Sequence, residues 1–499
     1  MNIHQQLTQL LSHFAVLGPE VFVAAAFLAV VTVDLVWGKT ATNQTRMALN
    51  SLTLVFLVAA GVLIWRQFQE SAGGYLFGRM LLLDEQAIFF KALVTLAAVV
   101  MVLHIRLTGY RLAGEVYSLL LALLLGLYLL TMAVNLLSIY LAIELISITS
   151  YVLTGFMGDR RGAEGAVKYA LFGAISAAVM LYGMSLLYGL TGTLNITDPA
   201  FSRHLAQADG FAVGVSLVLT LAGLFFKISA VPFHLWNPDV YEAAPTPVVS
   251  FFSVAPKAAA FLVLMRFEVA LPFEWAVLLA GVALLTLTVG NFSALWQGEA
   301  KRMLAYSSIA QSGFVLVGLA AATDFGLRSA TFYLATYLFA TMGAFLLLDL
   351  LVAPAKQRTE SLPSAGGSSL RFERFYGLGL RRPALGVGVV LVMMALVGFP
   401  LTAGFSAKLL IFSALWETYQ NSGNTLLGVL LVFGLLNTAV SLVYYLRLPF
   451  VLFFRTPTEP QPPPPRLTPG QGLLLMALLV PIVLLFLKAD WLMNFLETF

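Results

Sequence analysis

The stretch FFKISAVPFHLWNPDVYEAAP, residues 225–245, decides how the rest of the chain is read. It sets Lys227 at the end of an apolar run and Pro232 five residues later. A lysine at mid-bilayer costs roughly 2.5–3.5 kcal/mol on insertion scales. A proline inside a span gives up a backbone hydrogen bond, which membrane helices tolerate only where protein or water serves the freed groups. A segment that combines the two is expected to line a polar interior within a bundle of spans.

The composition requires such a bundle. Of the 499 residues, 60% are hydrophobic and only 10% charged, against about 25% charged in soluble domains. Apolar runs of roughly 18–25 residues recur from end to end, the length that crosses a bilayer as a helix. The chain reads as an all-α polytopic membrane protein. Its first run, 21–37, follows no basic region and precedes no small-residue cleavage site, so it reads as a retained span. The absence of cysteine excludes disulfides, iron–sulfur clusters and thiol chemistry within the chain. No strand–GxGxxG–helix unit or phosphate-binding loop is present. The sequence pI of about 9.1 comes from basic residues scattered between apolar runs, a pattern of membrane orientation rather than nucleic-acid binding.

Fourteen spans fit the hydropathy pattern, at approximately 14–36, 46–66, 82–104, 115–133, 136–157, 165–189, 211–231, 248–268, 275–296, 302–322, 329–352, 384–418 with an internal break, 426–454 and 471–496. The apolar stretch 116–157 is too long for one helix and is divided near Asn135. Basic residues test the count. Connections after odd-numbered spans hold 17 of them, among them Lys39, Arg111, Lys356, Arg358 and Arg466, and the opposite side holds 6, including Arg266. Cytoplasmic loops attract lysine and arginine, so both termini are expected on the non-cytoplasmic side. The other five basic residues are all lysines inside spans: Lys91, Lys168, Lys227, Lys257 and Lys408. Arginine keeps its charge in any protein, whereas a buried lysine can lose its proton, so the split favours titration over static pairing. Two polar stretches, 353–374 and the proline-rich 456–469, read as cytoplasmic connections.

Intramembrane ionisable residues are functional candidates by default. Lys257 lies near the middle of span eight and Glu144 near the middle of span five, both far from a polar exit. Lys227 and Lys168 lie nearer span ends, where lysine can snorkel. Lys91 shares a helix face with Asp84, seven residues earlier. In span twelve, GFPLTAGFSAKLL (398–410) sets Pro400 and Gly404 just before Lys408. Two interrupted spans in corresponding positions of two halves point to an inverted-repeat transporter. Residues 1–110 would hold helices 1–3, residues 111–270 the first five-helix repeat, residues 271–455 the second, and residues 456–499 the proline-rich loop and helix 14, with helices 7 and 12 broken. Electrostatics then suggest proton movement. A carboxylate close to a buried lysine stabilises the ammonium, so a shift of Glu144 relative to Lys227 would push a proton towards Lys257 and on to Lys408. Water would bridge groups on different helices. His234 would relay protons near neutral pH or cap carbonyls freed at the break.

These residues resemble the antiporter-like membrane subunits of respiratory complex I, the NADH:quinone oxidoreductase, and within that set the subunit N type. The resemblance rests on FFKISAVPFHLWNPDVYEAAPTPVVSFFSVAPKAAAF (225–261), EAKRMLAYSSIAQSGF (299–314), GFPLTAGFSAKLLIF (398–412) and AVKYALFGAISAAVMLYG (166–183), and extends over both halves. Lys408 is unlike the glutamate of subunit M, and the long carboxy-terminal extension of subunit L is not seen. The resemblance implies that Glu144 and Lys227 form a charge pair, that Lys168 and Lys257 continue a central axis, and that Lys408 ends the channel. Gln311 departs from the histidine of many relatives; an amide there cannot titrate but can hold water. Further implications are partner membrane subunits in a bacterial inner membrane, with NADH, FMN, iron–sulfur clusters and quinone held by other subunits. An Mrp-type cation/proton antiporter subunit would use the same lysine axis, and a non-conducting scaffold would keep the charges only as packing pairs.

Overall fold

The computed structural model describes residues 13–14, 16–37, 43–70, 73–110, 112–271, 275–352, 370–456 and 467–498. The first half contains α1 (Gly18–Trp37), α2 (Asn43–Gln69), a hairpin of β1 (Gly74–Leu76) and β2 (Leu81–Leu83), α3 (Glu85–Thr108), α4 (Glu115–Met132), α5 (Leu136–Thr154), α6 (Arg160–Thr191), the short α7 (Pro199–Gln207), α8 (Gly210–Ile228), α9 (Trp236–Ala243), α10 (Thr246–Phe252) and α11 (Ala255–Ala270). The second half contains α12 (Trp275–Leu295), α13 (Ala300–Ala320), α14 (Asp324–Leu351), α15 (Leu378–Arg381), α16 (Pro383–Val397), α17 (Ala403–Ser422), α18 (Thr425–Phe454), α19 (Pro469–Leu487) and α20 (Ala489–Leu496). Among the described residues, 13 helices are long and apolar enough to cross a membrane, or 14 if a bent pair counts as one.

Local chemistry sets the boundaries. Asn135 divides the long apolar stretch by capping α5, its side chain accepting from the Leu137 N–H at 3.0 Å. Asp84 caps α3 and Asp159 caps α6 in the same way. Span seven breaks after Ile228, where Ser229 takes a left-handed conformation (φ 60°) and the chain resumes as α9. Span twelve breaks after Val397, with Gly398 at φ 83° and α17 starting at Ala403. A Cβ on Gly404 would lie 1.8 Å from the Ala395 carbonyl oxygen, so the two arms of this span meet backbone to backbone.

Burial sorts the helices into centre and rim. Span eight (α10 and α11), α13 and α14 are buried almost throughout, whereas α1, α2, α18 and α19 keep most of their apolar surface outside. Lipid is as apolar as leucine, so association rests on close packing of small residues. Gly290 of α12 illustrates it, since an added Cβ would lie 2.6 Å from the Ala310 nitrogen of α13.

Three features differ from the sequence expectation. The all-α chain carries a two-stranded antiparallel hairpin, with Tyr75 opposite Leu82, turning at Gly78 (φ 63°). Residues 370–374, read as part of a linker, dock on the α12–α13 connection through Ala300 N–H to Leu370 O (3.0 Å) and an isolated antiparallel backbone pairing of Glu299 with Arg371. The other linker residues, 353–369 and 457–466, lie outside the described residues, as do Lys39, Arg111, Lys356, Arg358 and Arg466. Arg266, counted as a loop residue, sits inside α11 with its side chain buried; it donates to Asp84 (2.9 Å) and the Thr131 carbonyl (3.0 Å). The intramembrane cations are therefore not lysine alone. This arginine is buried and pairs with Asp84, whose side chain is 33% exposed.

Candidate functional site

Lys257 is the second residue after the start of α11, on a helix sheathed by others, and only 2% of it is exposed. All its donors turn to one turn of α13: Nζ reaches the Ser308 hydroxyl (2.6 Å), the Ser308 carbonyl (2.9 Å) and the Ser312 hydroxyl (3.1 Å). Ser308 also meets the Tyr241 hydroxyl of α9 at 3.3 Å. No carboxylate belongs to this set. A cation there is held by dipoles alone, which favours exchange between charged and neutral forms over a permanent ion pair.

Lys227 occupies the last turn of α8 beside the break and is likewise 2% exposed. Its amine lies 5.8 Å from the Tyr169 ring, which stacks on Trp236 at 4.2 Å; the Trp236 indole N–H donates to the Phe226 carbonyl at 3.0 Å. The break thus folds its own tryptophan back onto the ring that faces the lysine and onto the carbonyl of the residue before it. Glu144, half-buried on α5, is the carboxylate whose charge acts on Lys227, yet no direct ion pair joins them. Their coupling acts through space and changes with their separation.

Lys408 is buried on α17 and donates to the Val397 carbonyl freed at the second break (2.8 Å); its amine lies 3.8 Å from the Phe314 ring of α13. Between Lys257 and Lys408 stands Gln311, whose amide donates to the Leu396 carbonyl (2.8 Å) and the Tyr445 hydroxyl (2.9 Å) and accepts from the Tyr333 hydroxyl. A cavity of about 10 Å³ touches Gln311, Tyr333, Thr336 and Tyr337, about the space one water needs.

Lys168 lies elsewhere. The resemblance sets it on the central axis, but its side chain is 40% exposed and pairs with Glu164 and Asp239, each at 2.9 Å. The reason is position: it is two turns into α6, within reach of the polar rim. Arg302 completes the cluster, binding Asp239 (2.9 Å) and Glu242 (2.7 Å). With Arg161, these side chains surround an open cavity of about 220 Å³. Partial burial acts against the charged form of Asp239, but hydrogen bonds from Lys168 and Arg302 hold its carboxyl below the usual range. Burial and then Glu242 push Glu299 up to about 7. His234 is half-buried in the connection after the first break.

Three buried lysines lie beside two helix breaks and one central helix, in a chain whose sequence and fold are similar to those of other proteins. A family model described as "NADH:quinone oxidoreductase/Mrp antiporter, TM" matches residues 133–434. The NADH-quinone oxidoreductase subunit N of Anaeromyxobacter sp. (strain Fw109-5) is 37% identical over 93% of this chain and 92% of that protein. The chain belongs to this antiporter-like family. A chain of respiratory complex I from Thermus thermophilus superposes with a TM-score of 0.78 at 32% identity, covering 95% of this chain and 98% of that one. A chain of the Mrp complex from Dietzia sp. DQ12-45-1b shares the fold, with a TM-score of 0.80, at 19% identity.

Within this antiporter-like frame, the sequence anticipated both breaks and the burial of Lys227, Lys257 and Lys408. It missed their partners. Ser308 and Ser312 are four apart and so share a helix face, a signal present in YSSIAQSGF but indistinguishable there from small packing residues. Lys91 shares a face with Asp84, but its ion-pair partner is Glu20 of α1. Asp84 instead serves Arg266. A buried His104–Asp349 pair (3.0 Å), with Tyr110 also donating to Asp349, joins α3 to α14 and had no sequence signal at all.

Proposed function

We propose that this chain is a proton-translocating membrane subunit, of the subunit N type, in a bacterial NADH:quinone oxidoreductase. The carrying observation is the set of three buried amines, Lys227, Lys257 and Lys408, each within hydrogen-bond or charge range of a helix break or of α13. A proton held at Lys227 responds to Glu144 through space. When the carboxylate moves, the proton passes to Lys257, and by water and the Gln311 region to Lys408. His234 relays at the first break. Lys168, with Asp239 and Arg302, forms the charged mouth on the cytoplasmic side, and both termini face the other side. Spans four to eight and nine to thirteen act as the two repeats. NADH, FMN, iron–sulfur clusters and quinone belong to partner subunits, and this chain carries no redox chemistry of its own; its lack of cysteine supports that division.

The test is proton pumping by the assembled oxidoreductase in proteoliposomes. Lys227→Ala and Glu144→Gln are expected to leave assembly intact and to lower protons moved per NADH. Normal ratios in both variants would remove these residues from the pathway. An Mrp-type exchanger is the second reading. The likeness at 19% identity supports a common fold for it and no more. Cation/proton exchange by the isolated chain in liposomes, without NADH, would favour it.

A further inference from the structure

We propose that the adjacent residues Gln311 and Ser312 tie the two helix breaks together, as positioning residues that make the charge on Lys257 felt at both. The inference rests on the proton-translocation reading above. Ser312 donates its hydroxyl proton to the Ile228 carbonyl at 2.6 Å, and Ile228 is the last residue of α8, next to Lys227. Gln311 donates an amide proton to the Leu396 carbonyl at 2.8 Å, and Leu396 precedes Val397, whose carbonyl receives Lys408. Neighbouring residues on an α-helix point about 100° apart. One turn of α13 therefore faces the end of α8 on one side and the end of α16 on the other.

The two bonds differ in what sets their strength. Ser312 also accepts from Lys257 Nζ at 3.1 Å. An ammonium donating to a hydroxyl polarises it and strengthens the bond that hydroxyl donates onward. The charge on Lys257 thus grips or loosens the Ile228 carbonyl. Gln311 has no such variable partner. Its carbonyl is held by Tyr333 and its amide by Tyr445 and Leu396, all buried. An amide is suited to this role because it does not titrate. A change at the first break is carried by the helix to a fixed anchor on the second, where it alters the carbonyl environment of Lys408.

The experiment measures protons per NADH across pH in proteoliposomes of the whole oxidoreductase. Ser312→Ala and Gln311→Met should each lower the ratio to the level of Lys257→Ala. The double variant should lower it no further, because cutting either end releases the tie. Ser312→Thr, which keeps the hydroxyl, should retain the wild-type ratio; a purely spatial role for Ser312 predicts the opposite ranking of Ala and Thr. Wild-type ratios in Ser312→Ala and Gln311→Met, with Lys257→Ala still impaired, would overturn the tie and leave the translocation reading standing. Wild-type ratios in all three would reject that reading itself. If the α13 variants do not assemble, amide exchange in Lys257→Ala decides: protection must change at both 229–231 and 398–399, and a change at the first break alone would overturn the proposal.

Discussion

Lys227 shows what one residue contributes. Its burial was legible from the apolar run around it, but its surroundings were not, because Tyr169 comes from α6, far away in the chain, and Trp236 reaches its stacking position only by folding back across the break. Loss of a positioned proton carrier lowers transfer by roughly 10²-fold or more. Lys227→Ala should therefore slow proton entry into an isotope-labelled vesicle by about that factor, and Lys227→Arg should not restore it, since a guanidinium does not release its proton. Gly404 makes a steric prediction. With an added Cβ meeting the Ala395 oxygen at 1.8 Å, Gly404→Ala forces the arms of span twelve apart. Overpacking of this kind costs typically 1–3 kcal/mol. A thermal-shift measurement should show a lowered midpoint for this variant, and an unchanged midpoint would contradict the described break.

At the scale of elements, the short helix α9 and the connection before α13 bring the charged rim together. Glu299, just outside α13, has its pKa raised to about 7 by burial and by Glu242. A carboxyl whose folded pKa exceeds its unfolded value of about 4.3 adds stability that is fully present below that unfolded value and is lost as pH rises through 7. Unfolding midpoints of the wild type should thus decline more between pH 5 and 8 than those of Glu299→Gln; parallel curves would show that Glu299 does not titrate there. Asp239, shared by Lys168 and Arg302, is only partly buried, and exposed ion pairs contribute about 0–1 kcal/mol. Asp239→Asn should lower stability by no more than about 1 kcal/mol while increasing amide exchange along α9. These pairings were not legible in the sequence. Asp239 and Lys168 are 71 positions apart, and nothing in either segment specifies the other.

For the whole molecule, the central burial of span eight and α13 against the open flanks of α1, α18 and α19 means that the lysines lie within the bundle and away from lipid. Purification in mild detergent should bring the chain out with other membrane subunits of an oxidoreductase; recovery as a lone, active exchanger would contradict the assignment to that complex. The sequence by itself determined the approximate number of spans, the two breaks and the burial of Lys227, Lys257 and Lys408, because bilayer thickness and proline chemistry act locally along the chain. The tertiary structure alone decided which carbonyls Lys257 and Lys408 meet, that Lys168 belongs to a charged rim, that Arg266 is buried against Asp84, and that α13 touches both breaks. Those contacts depend on how helices far apart in sequence pack, and side-chain partners across a helix interface leave no periodicity for the sequence to display.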